Sequence, residues 1–286
     1  MNLNRPGEVA ISLGTSDVLF GVTNEPKPNE NEGSILIHPL DPCNYMMMLV
    51  FKNGAMTRNF IKNSNFAEDK DWSKFNEAIK KTSVGSNNKI SFYFKETEIT
   101  PPVFHTGILR NLFSIFLLID LKKIFIPIIG IVKFNNENNI EETEEITTLD
   151  CRGLIESQAL AYKLHSRLLG LEKISSVIVT GGGSVNKEIL QIIADVFECN
   201  VVPSSLANTA ASGAAIRALD AHFKSIKMVV QSGVSILSDE ITYPIVENFS
   251  IYRNLFERYA KLENTAVNFL NAQNIWLSIG QELGFF

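Results

Sequence analysis

The chain has 286 residues, 45% of them apolar and 20% charged, and its 31 acids against 26 bases leave a formal net charge of −5. That is the balance of a chain that folds around a core, and with no basic face to offset the acidity it argues against a nucleic-acid partner. Three cysteines, Cys43, Cys151 and Cys199, lie far apart, and with four scattered histidines they form neither a disulfide framework nor a ligand pair at metal spacing, so no protein-held metal is expected and a reducing, cytoplasmic setting is.

Residues 1–7 are polar and unpatterned, and a strand-like run begins at Val9. In Glu8 to Gly21 two β-rich runs flank Gly14-Thr15-Ser16, which predicts a hairpin whose turn offers flexible backbone and two hydroxyls to phosphate oxygens. Pro26 to Asn31 reads as the end of a further hairpin, and the unbroken apolar run Tyr45 to Phe51 as a central strand buried on both faces. Lys52-Asn53-Gly54 turns the chain into a helix from about Ala55 to Lys62. A second helix carries Phe75, Ala78 and Ile79 at helical spacing with Asp71 as its N-cap, and Trp72 falls off that stripe.

Ile90 to Phe94 reads as a strand that Glu98 to Pro102 ends. From about His105 to Gly130 the chain is more apolar than its surroundings, but Arg110, Asp120, Lys122, Lys123 and Pro127 break the run well short of the ~20 residues a bilayer needs, so no membrane span is expected. Asn135 to Glu145 is an acidic surface loop. Thr148 or Asp150 can cap a long helix to Gly170, with Leu154, Ala161, Leu164 and Leu168 on one face. His165 on this helix has no acid or thiol at ligand spacing and reads as a packing or solvent-facing histidine.

Val177-Ile178-Val179-Thr180-Gly181-Gly182-Gly183-Ser184-Val185-Asn186 is a strand, a glycine loop and a helix N-terminus. Three glycines let backbone approach a flat or anionic ligand, and the first helix amides point at it. The spacing is neither the dinucleotide-binding nor the Walker fingerprint, so a purely structural turn is an equal reading of these residues alone. Ile189, Ile192, Ile193, Val196 and Phe197 form an amphipathic stripe, and Asn200 to Val202 the next strand. The small residues from Asn208 to Ala215 permit a helix to approach both the strands and a nucleotide. Ile251, Leu255, Leu262, Ala266 and Phe269 mark a C-terminal helix that covers the core. Strands alternating with helices predict an α/β fold.

The two glycine turns together resemble the C-terminal domain of the FGGY carbohydrate kinases, with Val9 to Asp17 similar to that family's phosphate-contacting hairpin and Val177 to Asn186 to its adenosine loop. The resemblance continues through Tyr45 to Asn53, Trp72 to Phe75, Phe92 to Pro101 and Gly153 to Ala221, then fades. It implies a ribonuclease H-like, actin-like ATPase domain, a mixed sheet flanked by helices. It also implies ATP with Mg²⁺, phosphates on Gly14, Thr15 and Ser16, adenosine framed by Gly181, Gly182, Gly183 and Asn186, and Trp72 either against the base or packed under a loop. The implied acceptor is a ketopentose such as D-xylulose, giving D-xylulose 5-phosphate.

Two departures qualify the resemblance. Residues 105–130 read as an insertion without counterpart in the family. The general-base aspartate expected just before the hairpin is absent, since no aspartate precedes Asp17. The expectation is therefore that residues 1–286 are one nucleotide-binding domain, that the sugar-binding domain and the base lie upstream of residue 1, and that this chain alone transfers phosphate poorly or not at all. The alternative is a non-catalytic nucleotide-binding or interaction module.

Overall fold

The computed structural model describes residues 3–39, 41–104, 130–141, 143, 145–204, 209–225 and 240–282. The expected insertion at 105–130 lies almost wholly outside the described residues.

The first strands, β1 (Glu8–Leu13) and β2 (Asp17–Thr23), form the expected hairpin, with Leu13 opposite Asp17 across the Gly14-Thr15-Ser16 turn. Alternation carries β1 into the core, where Val9, Ile11 and Leu13 are buried on one face and Ala10 on the other. Antiparallel to β2 runs β4 (Tyr45–Phe51), and β3 (Ser34–Ile37) pairs with β4 at the sheet edge. On the other side, β8 (Ser176–Thr180) lies parallel to β1, and β9 (Val201–Pro203) parallel to β8. The order β3-β4-β2-β1-β8-β9 makes one mixed sheet, and β5 (Ile90–Tyr93), β6 (Ile131–Phe134) and β7 (Ile140–Glu141) make a second.

Helices α3 (Leu149–Leu168) and α4 (Lys187–Phe197) pack on the strands, and α1 (Ala55–Phe66) and α2 (Ser73–Lys81) pack against α3. The long α3 is the spine: Cys151, Leu154, Ile155, Ala159, Leu160 and Tyr162 are buried in a core shared with Leu19, Leu49, Phe75 and Phe92. Gly170, at φ +104, ends it with backbone bonds from Gly170 N to Arg167 O and Leu171 N to Ser166 O. The whole predicted stripe of α4 is buried. Helix α6 (Phe249–Glu282) covers the core through Tyr252, Leu255, Phe256, Tyr259, Leu262, Ala266 and Leu270.

Several expectations fail locally, each for a reason of packing. Pro26 to Asn31 does not close a hairpin, because β4 and not β3 takes the place beside β2. Strand β4 is buried on one face only: Met47, Leu49 and Phe51 are inside, while Met46, Met48 and Val50 are half-covered. Helix α1 outruns Lys62 to Phe66, and the acidic loop after Asn135 contributes β7 to the second sheet. Leu168 and Ile251 point outward, at 42% and 39% exposure. The small-residue helix α5 (Thr209–Ser225) is largely exposed along its described side chains, and among the described residues a Cβ at Gly213 would meet no atom within 4 Å. Alanine, serine and glycine offer little apolar area, so little draws that face onto the strands. Asp71 is not the principal cap of α2: the buried carboxylate of Asp69 accepts from Lys74 N and Phe75 N, both at 3.1 Å, whereas Asp71 accepts from Ser73 N, at the very start of the helix.

Candidate functional site

Strands β1 and β8 run side by side in the same direction, with Ser12 opposite Thr180, so their glycine turns emerge together at one end of the sheet. Crevices outside the carboxyl ends of strands are where α/β sheets bind ligands. Gly181 makes the juncture possible: it sits at φ +86, and a Cβ there would stand 2.6 Å from the Leu13 carbonyl oxygen. Beyond a short helical turn over Gly182–Val185, Asn186 caps α4, its Oδ1 accepting from Glu188 N at 3.1 Å and Ile189 N at 3.3 Å.

The opposite wall is built by α1 and α2. Ala55 N donates to Gly14 O at 2.9 Å, and a Cβ on Gly54 would lie 2.7 Å from the Thr15 carbonyl oxygen, so only glycine lets α1 start this close to the hairpin turn. Trp72 precedes α2 in the left-handed region at φ 67, with its ring edge-on to Phe75 at 5.0 Å and Lys62 Nζ 5.4 Å from its centroid. A tryptophan there is conformationally costly, and such strain gathers at binding sites.

Between the walls lies a cleft of ≈ 740 Å³, within the size range of small-molecule sites. Of the eight residues expected at the site, Gly14, Thr15, Trp72, Gly182, Gly183 and Asn186 border it, and Ser16 and Gly181 sit beside it without forming its wall. The N-terminal ends of α1 and α4 both open onto the cleft, through Ala55 and through Asn186 and Lys187, and two helix dipoles therefore favour negative charge in it.

Arg58, Asn76, Val185 and Ile189 also line the cleft, and sequence reasoning assigned none of them to the site. A signal for Arg58 existed: it lies three residues before the buried Ile61, a cation on an otherwise inward-facing stripe. Its guanidinium donates from Nη1 to Asp17 Oδ2 at 2.6 Å and from Nη2 to Asp17 Oδ1 at 2.9 Å, with a further contact to Gly14 O at 3.3 Å. Tyr162 OH donates to the same carboxylate at 2.6 Å. Burial opposes the Arg58 charge, but attraction to Asp17 outweighs it and raises its pKa above the usual guanidinium value. Burial first, and then the Asp17 charge, pushes the Tyr162 phenol well above its ordinary range. Asp17 is thus committed beneath the turn and is not a free base. Glu8 stands at the far end of β1, about 17 Å away at strand rise, and accepts from Asn4 N and Arg5 N.

Among the described residues no group of three or more His, Cys, Asp and Glu side chains could hold a metal ion. Nor, among those residues, is any helix long and apolar enough to cross a membrane. His165 takes the packing alternative, not the solvent-facing one, and it is buried between two acids, with Nδ1 2.7 Å from Glu32 Oε2 and Nε2 3.1 Å from Glu263 Oε1. Both acids are remote in sequence, which hid them.

Residues 9–222 match the family model described as the FGGY family of carbohydrate kinases, C-terminal domain. Xylulose kinase 2 of Arabidopsis thaliana is 36% identical over 222 residues, covering 76% of this chain and 36% of that protein. The crystal structure of xylulose kinase from Rhodospirillum rubrum superposes with a TM-score of 0.67 at 16% identity, over 94% of this chain and 49% of that one. Gluconate kinase from Lactobacillus acidophilus does so at 0.67 and 17%, over 91% and 48%. The chain spans about a third of the length of the curated relative it matches and about half of these two structures. At such identities the structures speak for the fold, a mixed sheet flanked by helices in the ribonuclease H-like, actin-like ATPase arrangement.

Proposed function

The chain belongs to the FGGY family of carbohydrate kinases, and we propose that it supplies the nucleotide half of an ATP-dependent kinase whose acceptor is a ketopentose, D-xylulose. ATP occupies the cleft between the two glycine turns. Its phosphates lie on the amides and hydroxyls of Gly14, Thr15 and Ser16, and its adenosine lies between Trp72 and the loop Gly181, Gly182, Gly183 and Asn186. The observation that carries this reading is the convergence of both turns and of two helix N-termini on one cleft, since backbone N–H groups and helix dipoles hold phosphate without a dedicated cation.

Phosphoryl transfer needs in-line positioning, charge neutralisation and a base for the attacking hydroxyl. The turn serves the first, braced from below by Arg58 and Asp17. Mg²⁺ would neutralise phosphate charge, and it fits here as an ion carried by the nucleotide, because the carboxylate under the turn is tied to Arg58 and Tyr162. For the base and the sugar pocket we look outside these 286 residues, to the kind of sequence that makes up the rest of the relatives' length. The three free thiols fit a cytoplasmic setting.

The committed Asp17 also favours a second reading, a module that binds nucleotide without transferring its phosphate. Titration of the chain with MgADP, followed by an ADP-release assay with and without D-xylulose, tests both. Nucleotide binding without xylulose-dependent turnover is expected of the isolated chain. Turnover restored by a separately expressed sugar-binding half supports the kinase. Binding that such a half never converts into turnover supports the module.

A further inference from the structure

The orientation of one half-buried amide in the cleft is dictated from the backbone outward. Asn186 caps α4, so its Oδ1 must face the Glu188 and Ile189 amides. Its Nδ2 is then turned away from the helix, where it donates to Asn76 Oδ1 at 2.8 Å. A donor at that place requires Asn76 to present oxygen to it, which leaves the Asn76 NH₂ and the second lone pair of its Oδ1 for a ligand. Among the described residues no acceptor takes a hydrogen bond from Asn76 Nδ2. Asn76 lines the cleft, and its backbone N–H donates to Trp72 O at 2.9 Å, so it stands one helical turn from the indole.

Resting on the nucleotide site proposed above, we infer that Asn76 reads the edge of the base and selects a 6-aminopurine over a 6-oxopurine. A base laid against the Trp72 ring brings its edge toward the next turn of α2, where Asn76 sits. One amide offering a donor beside an acceptor matches a ring nitrogen beside an exocyclic amino group, the pair that adenine presents at N7 and N6. Guanine presents two acceptors there, N7 and O6, so its O6 would face the Asn76 oxygen. The amide cannot turn over to suit guanine without setting its NH₂ against the Asn186 NH₂, whose direction the helix cap holds. Selectivity is thus written into α4 and delivered by α2.

Calorimetric titration of the 286-residue chain with ADP and with GDP tests the inference, and ADP should bind at least about tenfold tighter, the scale of one good bidentate base contact. Asn76→Leu removes donor and acceptor together in nearly the same shape, and the ratio of ADP to GDP affinity should fall toward one. Asn186→Asp keeps the cap but gives Asn76 an acceptor to face, which turns the Asn76 NH₂ away from the ligand. The ratio should fall there too, although Asn76 is untouched. Reading the ratio cancels the repulsion that the new carboxylate at position 186 exerts on both nucleotides, and melting curves establish that the variants are folded. Equal affinity for ADP and GDP in the wild-type chain, or an unchanged ratio in the folded variants, overturns the base reading and leaves the nucleotide site standing. Failure of the wild-type chain to bind either at millimolar concentration overturns the site itself and the inference with it.

Discussion

Arg58 grips Asp17 with both arms of its guanidinium, at 2.6 and 2.9 Å, where the two residues are 2% and 0% exposed. The pair spans the first turn of α1 and the start of β2, and so fixes the hairpin turn between them. Breaking a buried pair leaves one charge without a partner, which costs about 3–5 kcal/mol, whereas removing both charges can be nearly neutral. Asp17→Asn is therefore expected to lower the thermal midpoint by roughly 10 °C, and Asp17→Asn combined with Arg58→Met to recover part of that loss. Equal midpoints for the single and double variants would show that Arg58 is not confined by Asp17.

The three adjacent glycines after β8 have different tasks. A Cβ on Gly183 would lie 2.8 Å from Leu13 Cβ, and on Gly181 2.6 Å from Leu13 O, whereas on Gly182 it would meet no atom within 4 Å. Gly183→Val should destabilise the fold by about 1–3 kcal/mol through overpacking. Gly182→Val should leave the melting temperature within a few degrees and weaken ADP binding at least about tenfold, because its side chain occupies the cleft wall. Unchanged ADP affinity in folded Gly182→Val would reduce the loop to a structural turn.

Asp69, rather than Asp71, holds the N-terminus of α2. Its carboxylate receives the Lys74 and Phe75 amides and the Ser73 hydroxyl, and its carbonyl receives Lys62 Nζ. Asp69→Ala should cost about 1–2 kcal/mol, the upper range for a lost cap, and Asp71→Ala a few tenths. Because Trp72 lies between Asp69 and the helix, Asp69→Ala should also weaken ADP binding. Urea unfolding and titration of both variants check the ranking, and an equal effect of the two substitutions would contradict it.

What was legible in the chain was what neighbours in sequence determine. Ile189, Ile192, Ile193, Val196 and Phe197 repeat at helical spacing behind an asparagine cap, and all five are buried as that pattern demands. The Gly14 hairpin and the Gly181 loop were readable because a turn carries its own residue chemistry. What stayed hidden needs partners from far along the chain. Arg58 meets Asp17 across 41 positions, and Asn186 meets Asn76 across 110. Asp71 reads as the cap because it adjoins the helix, yet the chain folds back far enough to bring Asp69 over the amides. The alternation in β4 was masked because methionine and valine serve equally on a buried and a half-covered face.

His165 shows the same blindness and gives the fold a pH dependence. Burial disfavours its charge, but the carboxylates of Glu263 and Glu32 outweigh burial and raise its pKa to about 9 from 6.5. The imidazolium donates both N–H groups, one to the loop before β3 and one to α6, and so ties α3 to both. A pKa raised in the folded state contributes stability that is fully present below pH 6.5 and is lost as pH rises through about 9. The full contribution is roughly 3 kcal/mol. Above that range two buried carboxylates face a neutral ring. The thiols of Cys151 and Cys199, pushed up to about 12 by burial, also favour unfolding in alkali. They are common to the wild type and to His165→Gln, so the difference between the two stability curves isolates the histidine. Urea unfolding at pH 6, 7.5 and 9.5 should show the wild type losing its advantage over His165→Gln as pH rises, and parallel curves would mean that His165 is neutral in the fold.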